Sequence, residues 1–316
     1  MIEEWRILSA AGKPIPVGTE MRRLTFRFIC RVLLSADPSD EMEALEKSIG
    51  ELLDEAWQEI RSPTDLRWRL PTKHRKRFDR ALAHVRGFLQ RHITARRNAM
   101  EQLGDLLTML MAVKDADTAE GLPDDAIINE SITLLIAGYD TTANALAWAQ
   151  ILLAQHPAAA ARLHAESLTG ESKYARAVFQ ETLRLYPPIW VIERNICEEV
   201  TAGAWTLPEG TQVLISPWVL HRSPQYWQDP EKFLPDRFLD PNAEFPAYIP
   251  FGAGPRSCIG RGLALMEGDT VLTMLAAAGT FKLCGPPPLP DPGITLRPGY
   301  ALQMKMTKPE GQNPKE

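Results

Sequence analysis

Cysteine is scarce in this chain: Cys30, Cys197, Cys258 and Cys284 are four in 316 residues, with no C-x-x-C pair and no metal-ligand spacing. That excludes a disulfide framework and a zinc ribbon, and it points to free thiols in a reducing, cytoplasmic compartment. An excess of positive charge is also missing. Lys+Arg 35 against Asp+Glu 40 leaves a net charge of −5, so no global basic field argues for nucleic acid. The first ten residues, MIEEWRILSA, carry neither a basic n-region nor an apolar h-region. The longest apolar stretch, Ile127 to Leu153, is interrupted by Glu130, Asp140, Thr141, Thr142 and Asn144, which argues against a membrane span. There is no G-x-G-x-x-G dinucleotide fingerprint, no internal repeat and no low-complexity tract. Proline, in contrast, is abundant. The 26 prolines are about 8% of the chain against a usual ~5%, and they crowd into the second half.

Apolar periodicity predicts helices over 20–36, over 42–60 with Ser39 as its cap, and over 73–100, the last beginning in the basic run Lys73-His74-Arg75-Lys76-Arg77. That run reads as a solvated helix end, with an entrance or membrane-surface contact as the alternative. A short helix at 103–114 precedes a long one from Pro123 to about Gln155. The middle of the long helix, 132–148, is apolar almost all round and should cross the interior. Two more helices follow at 158–167 and 174–185. After Pro187-Pro188 the pattern changes to short β-prone runs at 189–196 and 212–216, then a proline-rich coil to Gly260. A last helix over 263–278 and short strands at 281–284, 294–296 and 302–306 complete the chain, and the tail 307–316 is polar and frayed. The fold class is mainly α with a small β portion. We expect one domain over 1–316, with a helical part at 1–185 and a β-containing part at 186–306. A structureless coil between about 225 and 260 is unusual in a compact domain unless it is functional.

The chemistry sits at the end of that coil, in Phe251-Gly252-Ala253-Gly254-Pro255-Arg256-Ser257-Cys258-Ile259-Gly260. A lone cysteine is ordinarily a small buried hydrophobe. Here glycines let the backbone approach a flat partner. Arg256 offers a permanent cation for a carboxylate, and a helix start near Leu263 favours thiolate over thiol. The segment resembles the haem-binding loop of the cytochrome P-450 family, F-x-x-G-x-R-x-C-x-G, met by Phe251, Gly254, Arg256, Cys258 and Gly260. Its thiolate-ligated haem, for which that family is itself the standing example, favours O–O cleavage.

A second segment, Ala137-Gly138-Tyr139-Asp140-Thr141-Thr142, places a carboxylate and two hydroxyls inside an apolar helix, where they cost stability unless satisfied. Helix–helix hydrogen bonding is one reading. The other is a widened helix over a ligand, with Gly138 clearing space for something bulky. It is similar to the family's oxygen-activation motif A-G-x-D-T-T, which implies that Thr141 holds the distal water or peroxide oxygen and that Asp140 relays protons. Glu181-Thr182-Leu183-Arg184 is weak alone, since i,i+3 acid–base pairs are common. It stands where the family has E-x-x-R, and Pro235-Asp236-Arg237-Phe238 where the family has P-x-R-F. The resemblance implies a structural trio of Glu181, Arg184 and Arg237. Arg194, on the strand after that helix, is either a haem-propionate partner or a surface arginine, and His221 beside a Pro-containing turn reads as locally satisfied.

The resemblance implies a cytochrome P-450-like fold carrying haem b. It assigns Cys258 as iron ligand, Arg256, Phe251, Gly252, Gly260, Arg194 and Gly138 as cofactor-binding, and Asp140 and Thr141 as catalytic. It also implies a monooxygenase that inserts one oxygen atom of O2 into an apolar small molecule. Electrons would come from a separate ferredoxin or flavodoxin, met near Arg256 and Arg261. Compared with the family pattern the chain is short before the oxygen-activation helix. The first strands, the substrate roof and a W-x-x-x-R propionate clamp are expected to be missing, which would weaken haem retention and leaves a non-catalytic haem-binding or scaffold protein as the alternative.

Overall fold

The computed structural model describes residues 1–36, 41–62, 72–99, 103–115, 117–299 and 302–307. The expected cap Ser39 and nearly all of the expected frayed tail lie outside the described residues. The chain forms two compact units: Thr19–Ala143, and Met1–Gly18 together with Asn144–Glu316.

The first unit is helical. It comprises most of α2 (Val17–Leu34), α3 (Met42–Ile60), α4 (Lys73–Ala99), α5 (Leu106–Ala112) and the first two-thirds of α6 (Asp124–Gln155). Each helix contributes one apolar stripe, so Phe26, Leu33, Leu45, Ile49, Val85 and Leu89 meet in a common core. The basic α4 is largely neutralised from outside. Arg77 faces Glu51 and Glu55, Arg86 reaches Asp125 and Arg91 reaches Glu41. Lys73, Lys76 and Arg80 stay exposed. Asp105 caps α5 by accepting from the Thr108 N–H at 2.9 Å, and it takes a two-pronged pair from Arg96 at 2.8 and 2.9 Å. Burial would raise its carboxyl; the Arg96 and Thr108 bonds overcome that and hold it well below the usual range.

The second unit carries α7 (Pro157–Ser167), α8 (Lys173–Leu185), the strand pair β1 (Ile192–Asn195) and β4 (Gln212–Ile215), the hairpin β2 (Val200–Ala202) and β3 (Trp205–Leu207), and α9 (Pro217–Leu220). After the coil come α10 (Arg261–Ala278), β5 (Thr280–Leu283), the small pair β6 (Asp291–Pro292) and β7 (Leu296–Arg297), and β8 (Met304–Thr307). All pairings are antiparallel. Several elements exceed the sequence expectation, among them α1 and the β2–β3 hairpin. Helix α1 (Ile2–Ala10) buries only Trp5, too little to show as a periodic face. The β2–β3 hairpin is almost wholly exposed, so it has no buried alternation to detect. Trp5 meets Phe281 edge-on at 5.8 Å, and Ile15 exchanges both backbone hydrogen bonds with Met304. The chain's beginning is thereby stitched to its last strands.

Helix α6 was expected to be interior along its whole middle. From Thr142 to Leu153 it is indeed buried. Earlier, Thr133 and Ala137 are exposed and Thr141 half-exposed, one stripe at four-residue spacing. This stripe is made of small residues, which is why apolarity alone did not reveal it. The α8–α10 contact is so close that a side chain at Gly268 would come within 2.5 Å of the Phe179 ring.

Beside that contact, Glu267 is 4% exposed and its Oε1 has no hydrogen-bond partner. Burial pushes its carboxyl up from 4.5 to about 8. Between those values the unfolded chain releases the proton and the folded chain keeps it, so stability falls as pH rises through this window. Glu267→Gln is expected to gain roughly 3 kcal/mol at pH 7 over the parent, the gap closing as pH approaches about 4.5. Urea unfolding of both proteins at several pH values measures it, and parallel curves at all pH would show Glu267 to be ionised in the fold.

Candidate functional site

The loop ending in Cys258 is closed by its own backbone. The Cys258 N–H donates to the Phe251 carbonyl at 2.8 Å, and the Ser257 N–H to that of Gly254 at 3.0 Å. Gly252 sits at φ +70°, a conformation that a side chain would strain, although the space beside it would admit one in ordinary contact with the backbone of Arg256 and Ser257. Gly260 is the N-cap of α10, with no side-chain cap, so the positive end of that helix lies two residues beyond the sulfur. Cys258 is exposed, as are Arg256 and Ile259, the last at 90%. Arg261 places its guanidinium 5.8 Å from the Phe251 ring centroid. A loop with three glycines that displays a thiol close in sequence to two exposed arginines and an exposed isoleucine presents one soft donor on an apolar, cationic rim.

The coil leading to it is held by α8. Glu181 and Arg184 are fully buried and pair in two-pronged fashion at 2.7 and 2.8 Å. Glu181 Oε1 also accepts from the Leu234 N–H at 2.8 Å. Arg184 spends its remaining donors on three coil carbonyls: His221 at 2.8 Å, Pro230 at 2.6 Å and Lys232 at 2.9 Å. Arg237 comes within 3.5 Å of Glu181 Oε1 through Nε, an ion-pair contact rather than a hydrogen bond, and gives a true bond to the Asp229 carbonyl at 2.9 Å. Trp227, Phe238, Phe245 and Tyr248 pack on this polar centre, with Arg184 5.0 Å over the Trp227 ring. A coil whose regular structure is confined to short turns such as the 3-10 helix Pro235–Phe238 is thus ordered by satisfied carbonyls and stacked rings.

His221 departs from its sequence reading. It is satisfied at long range rather than locally: Nδ1–H donates to the Arg184 carbonyl at 3.1 Å, and Nε2 accepts from the Ile249 N–H at 2.9 Å. That pairing requires the neutral ring, and burial pushes its pKa down to about 4. With the Tyr248 hydroxyl donating to the Gln180 carbonyl at 2.9 Å, the stretch just before Phe251 is tied to α8 at two points. The sequence signal for His221 was only its Pro-containing turn, and for Tyr248 only its nearness to the glycine-rich loop.

In α6, Thr141 Oγ1 donates back to the Ala137 carbonyl at 2.7 Å. Asp140 is 8% exposed. What approaches Gly138 is Ile29 of α2: a side chain added there would meet its Cδ1 at 2.7 Å. The Thr25 hydroxyl lies 3.0 Å from the Tyr139 carbonyl. The turn is therefore braced by α2 on one side and carries the Thr141 hydroxyl on its open stripe.

A single exposed thiol after a glycine-rich turn, braced by a buried E-x-x-R pair, agrees with what comparison of the whole chain shows. The cytochrome P-450 family profile matches residues 1–302. The chain belongs to the cytochrome P-450 family. It is 36% identical over 314 residues to cyclooctatin synthase of Streptomyces melanosporofaciens, a match covering 94% of this chain and 66% of that protein. It is 35% identical to cyclooctat-9-en-7-ol 5-monooxygenase of the same organism, over 90% of this chain and 64% of that protein. It is 32% identical to pentalenene oxygenase of Streptomyces avermitilis, over 84% and 62%. The chain thus spans less than two-thirds of the length of these relatives.

The prosthetic group of P-450 proteins is haem b, and the donor set fits it. Among the described residues no three His, Cys, Asp or Glu side chains gather to hold a metal ion. Cys258 belongs to no such group, and a single soft donor suits an iron whose other bonds come from a macrocycle. Arg194 is exposed on β1, opposite Val213, and donates to the Glu193 carbonyl at 2.8 Å. Nothing in that placement sets it apart from a surface arginine. Among the described residues no helix is long and apolar enough to cross a membrane.

Proposed function

We propose that this P-450 chain is a haem-thiolate monooxygenase acting on an apolar organic molecule. The exposed Cys258 sulfur at the lip of its glycine-rich loop carries this reading. Haem b bound there supplies the one-electron and O2 chemistry. The protein's part is to bind, orient and handle protons. Cys258 would be the iron ligand, next to the positive end of α10. Arg256 would meet a propionate, while Phe251, Gly252 and Gly260 shape the rim. Arg194 is at most an accessory contact. Asp140 would hold a proton inside α6. Thr141, whose own proton is committed to the Ala137 carbonyl, keeps lone pairs free to accept a hydrogen bond on the open stripe. Electrons would arrive from a ferredoxin or flavodoxin, for which the exposed Arg256 and Arg261 are suited to an acidic face. The apolar substrate is in keeping with relatives named for oxygenating pentalenene and cyclooctat-9-en-7-ol.

The test is the spectrum of the reduced protein under carbon monoxide. The red-shifted Soret band of a thiolate haem is expected, and its absence from haem-supplemented protein would overturn the reading. The proton assignment has its own check. Thr141→Ala should keep the band and the consumption of reducing equivalents but divert them to hydrogen peroxide. Asp140→Asn should slow turnover by on the order of 10²-fold, the scale of a positioned proton-transfer group. Unchanged product per electron in both variants would remove Asp140 and Thr141 from proton handling.

A further inference from the structure

His221 is fully buried, with its ring tilted against Tyr248 at 5.4 Å and edge-on to Trp227 at 6.3 Å. Two bonds tie the residue to Arg184. Its carbonyl accepts from the Arg184 guanidinium at 2.8 Å, and its Nδ1–H donates to the Arg184 carbonyl at 3.1 Å. That carbonyl lies in the last turn of α8, where backbone acceptors have no partner within the helix. The opposite ring nitrogen, Nε2, accepts from the Ile249 N–H at 2.9 Å. One nitrogen must carry a proton and the other must not, which only the neutral ring provides. Burial outweighs the Arg184 and Leu183 carbonyls, which would favour a second proton, and pushes the pKa down to about 4; the Arg184 and Arg222 charges act in the same direction as burial.

The bonds beyond Ile249 lead to the sulfur. The Gly252 N–H donates to the Ile249 carbonyl at 3.0 Å, closing a four-residue turn with Pro250 at its second position, where the proline ring fixes the backbone. Phe251 rides on that turn, and its carbonyl accepts the Cys258 N–H at 2.8 Å. Downstream the loop runs into α10, which packs on α8 where Gly268 meets Phe179. Cys258 therefore sits between two attachments to α8, one through α10 and one through His221. The Tyr248 hydroxyl adds an upstream bond to the Gln180 carbonyl at 2.9 Å, but through a side chain and not through the backbone that continues into the loop. The Cys258 side chain is exposed, so how precisely the sulfur is held depends on such supporting bonds.

We propose that His221 is a positioning residue for the Cys258 loop: its ring transmits the position of α8 to the Ile249 N–H and, through the Pro250 turn, to the Phe251 carbonyl that holds Cys258. The inference rests on Cys258 being the haem ligand of the proposed reaction.

Two substitutions separate the two bonds of the ring. His221→Gln brings an amide oxygen to the place of Nε2, so it can still accept from Ile249 but loses the bond to Arg184. His221→Asn, one methylene shorter, reaches the place of Nδ1, so it can still donate to Arg184 but leaves the Ile249 N–H without an acceptor. Each variant loses one buried hydrogen bond, and similar losses in urea midpoint are expected. The reduced holoprotein under carbon monoxide should tell them apart. His221→Gln should retain the red-shifted thiolate band. In His221→Asn the ratio of thiolate-ligated to unligated adduct should fall roughly tenfold, the scale set by one unsatisfied buried N–H. A band retained in His221→Asn, or lost equally in both variants, overturns the proposal. Amide hydrogen exchange of the haem-free parent is the second readout and needs no variant to fold. The amides of Ile249, Gly252 and Cys258 should open as one unit. A Cys258 amide that exchanges freely while that of Ile249 stays protected overturns the proposal equally. If the holoprotein of the parent lacks the thiolate band, the haem reading fails instead, and the exchange result decides whether His221 holds the loop.

Discussion

Glu181→Ala is expected to leave little soluble protein, and what remains should unfold at markedly lower urea. The reason is the set of partners stranded by the change. Arg184 has no exposed side-chain surface, and two of its bonds end on Glu181. With the carboxylate gone, a full positive charge stays buried with only three carbonyls to offset it, and the Leu234 N–H loses its acceptor. Breaking a buried pair from one side costs roughly 3–5 kcal/mol. Against a total stability of about 5–15 kcal/mol, that removes a third or more of what holds such a domain together. Arg237→Ala should cost less, about 1 kcal/mol, because it forfeits one hydrogen bond to the Asp229 carbonyl and an ion-pair contact without hydrogen-bond geometry. Urea midpoints of the two variants and the parent provide the comparison. A Glu181→Ala protein that melts like the parent would show the pair to be energetically ordinary.

Cys258→Ala should do the reverse, costing nothing in folding and everything in the thiolate signature. The side chain is exposed and the loop is closed by backbone bonds that alanine can also make, so the melting temperature of haem-free protein should stay within experimental scatter. The red-shifted carbon monoxide band should vanish altogether, since that band requires the thiolate as ligand. Replacing Cys197 or Cys284, both exposed and distant in sequence, should leave the band intact. Cys30→Ala should leave it too, at some cost in stability, because Cys30 is fully buried among Phe26, Ile29 and Leu33. A thiolate band that survives in Cys258→Ala, or is lost with another cysteine, would move the ligand elsewhere.

Much of the site was legible before any coordinates because its chemistry is local. Phe251 to Gly260 must turn, display a sulfur and start a helix, and each requirement falls on a fixed residue type at a fixed step. The long helices of the first unit were legible for a similar reason: one buried stripe per helix leaves a repeating apolar pattern. Element ends moved by two or three residues, as with α2 starting at Val17 and α10 at Arg261, where the N-cap Gly260 supplies no side-chain signal.

What only the tertiary structure decided are relations between distant residues. Gly138 reads as room for a ligand until Ile29 is seen to fill the space. His221 reads as locally satisfied until its ring is found bonded to Arg184 and Ile249, 37 residues before it and 28 after. Glu267 has no signature at all, because a glutamate on a helix is ordinarily solvated, and burial is set by which neighbours pack over it. Sequence by itself determined the family and the glycine-rich loop that displays Cys258, since these are written in short-range spacing. Which carboxyl groups lose their water, and which carbonyls wait for Arg184, follow from contacts between segments far apart in the chain, and desolvation exists only once those segments have met.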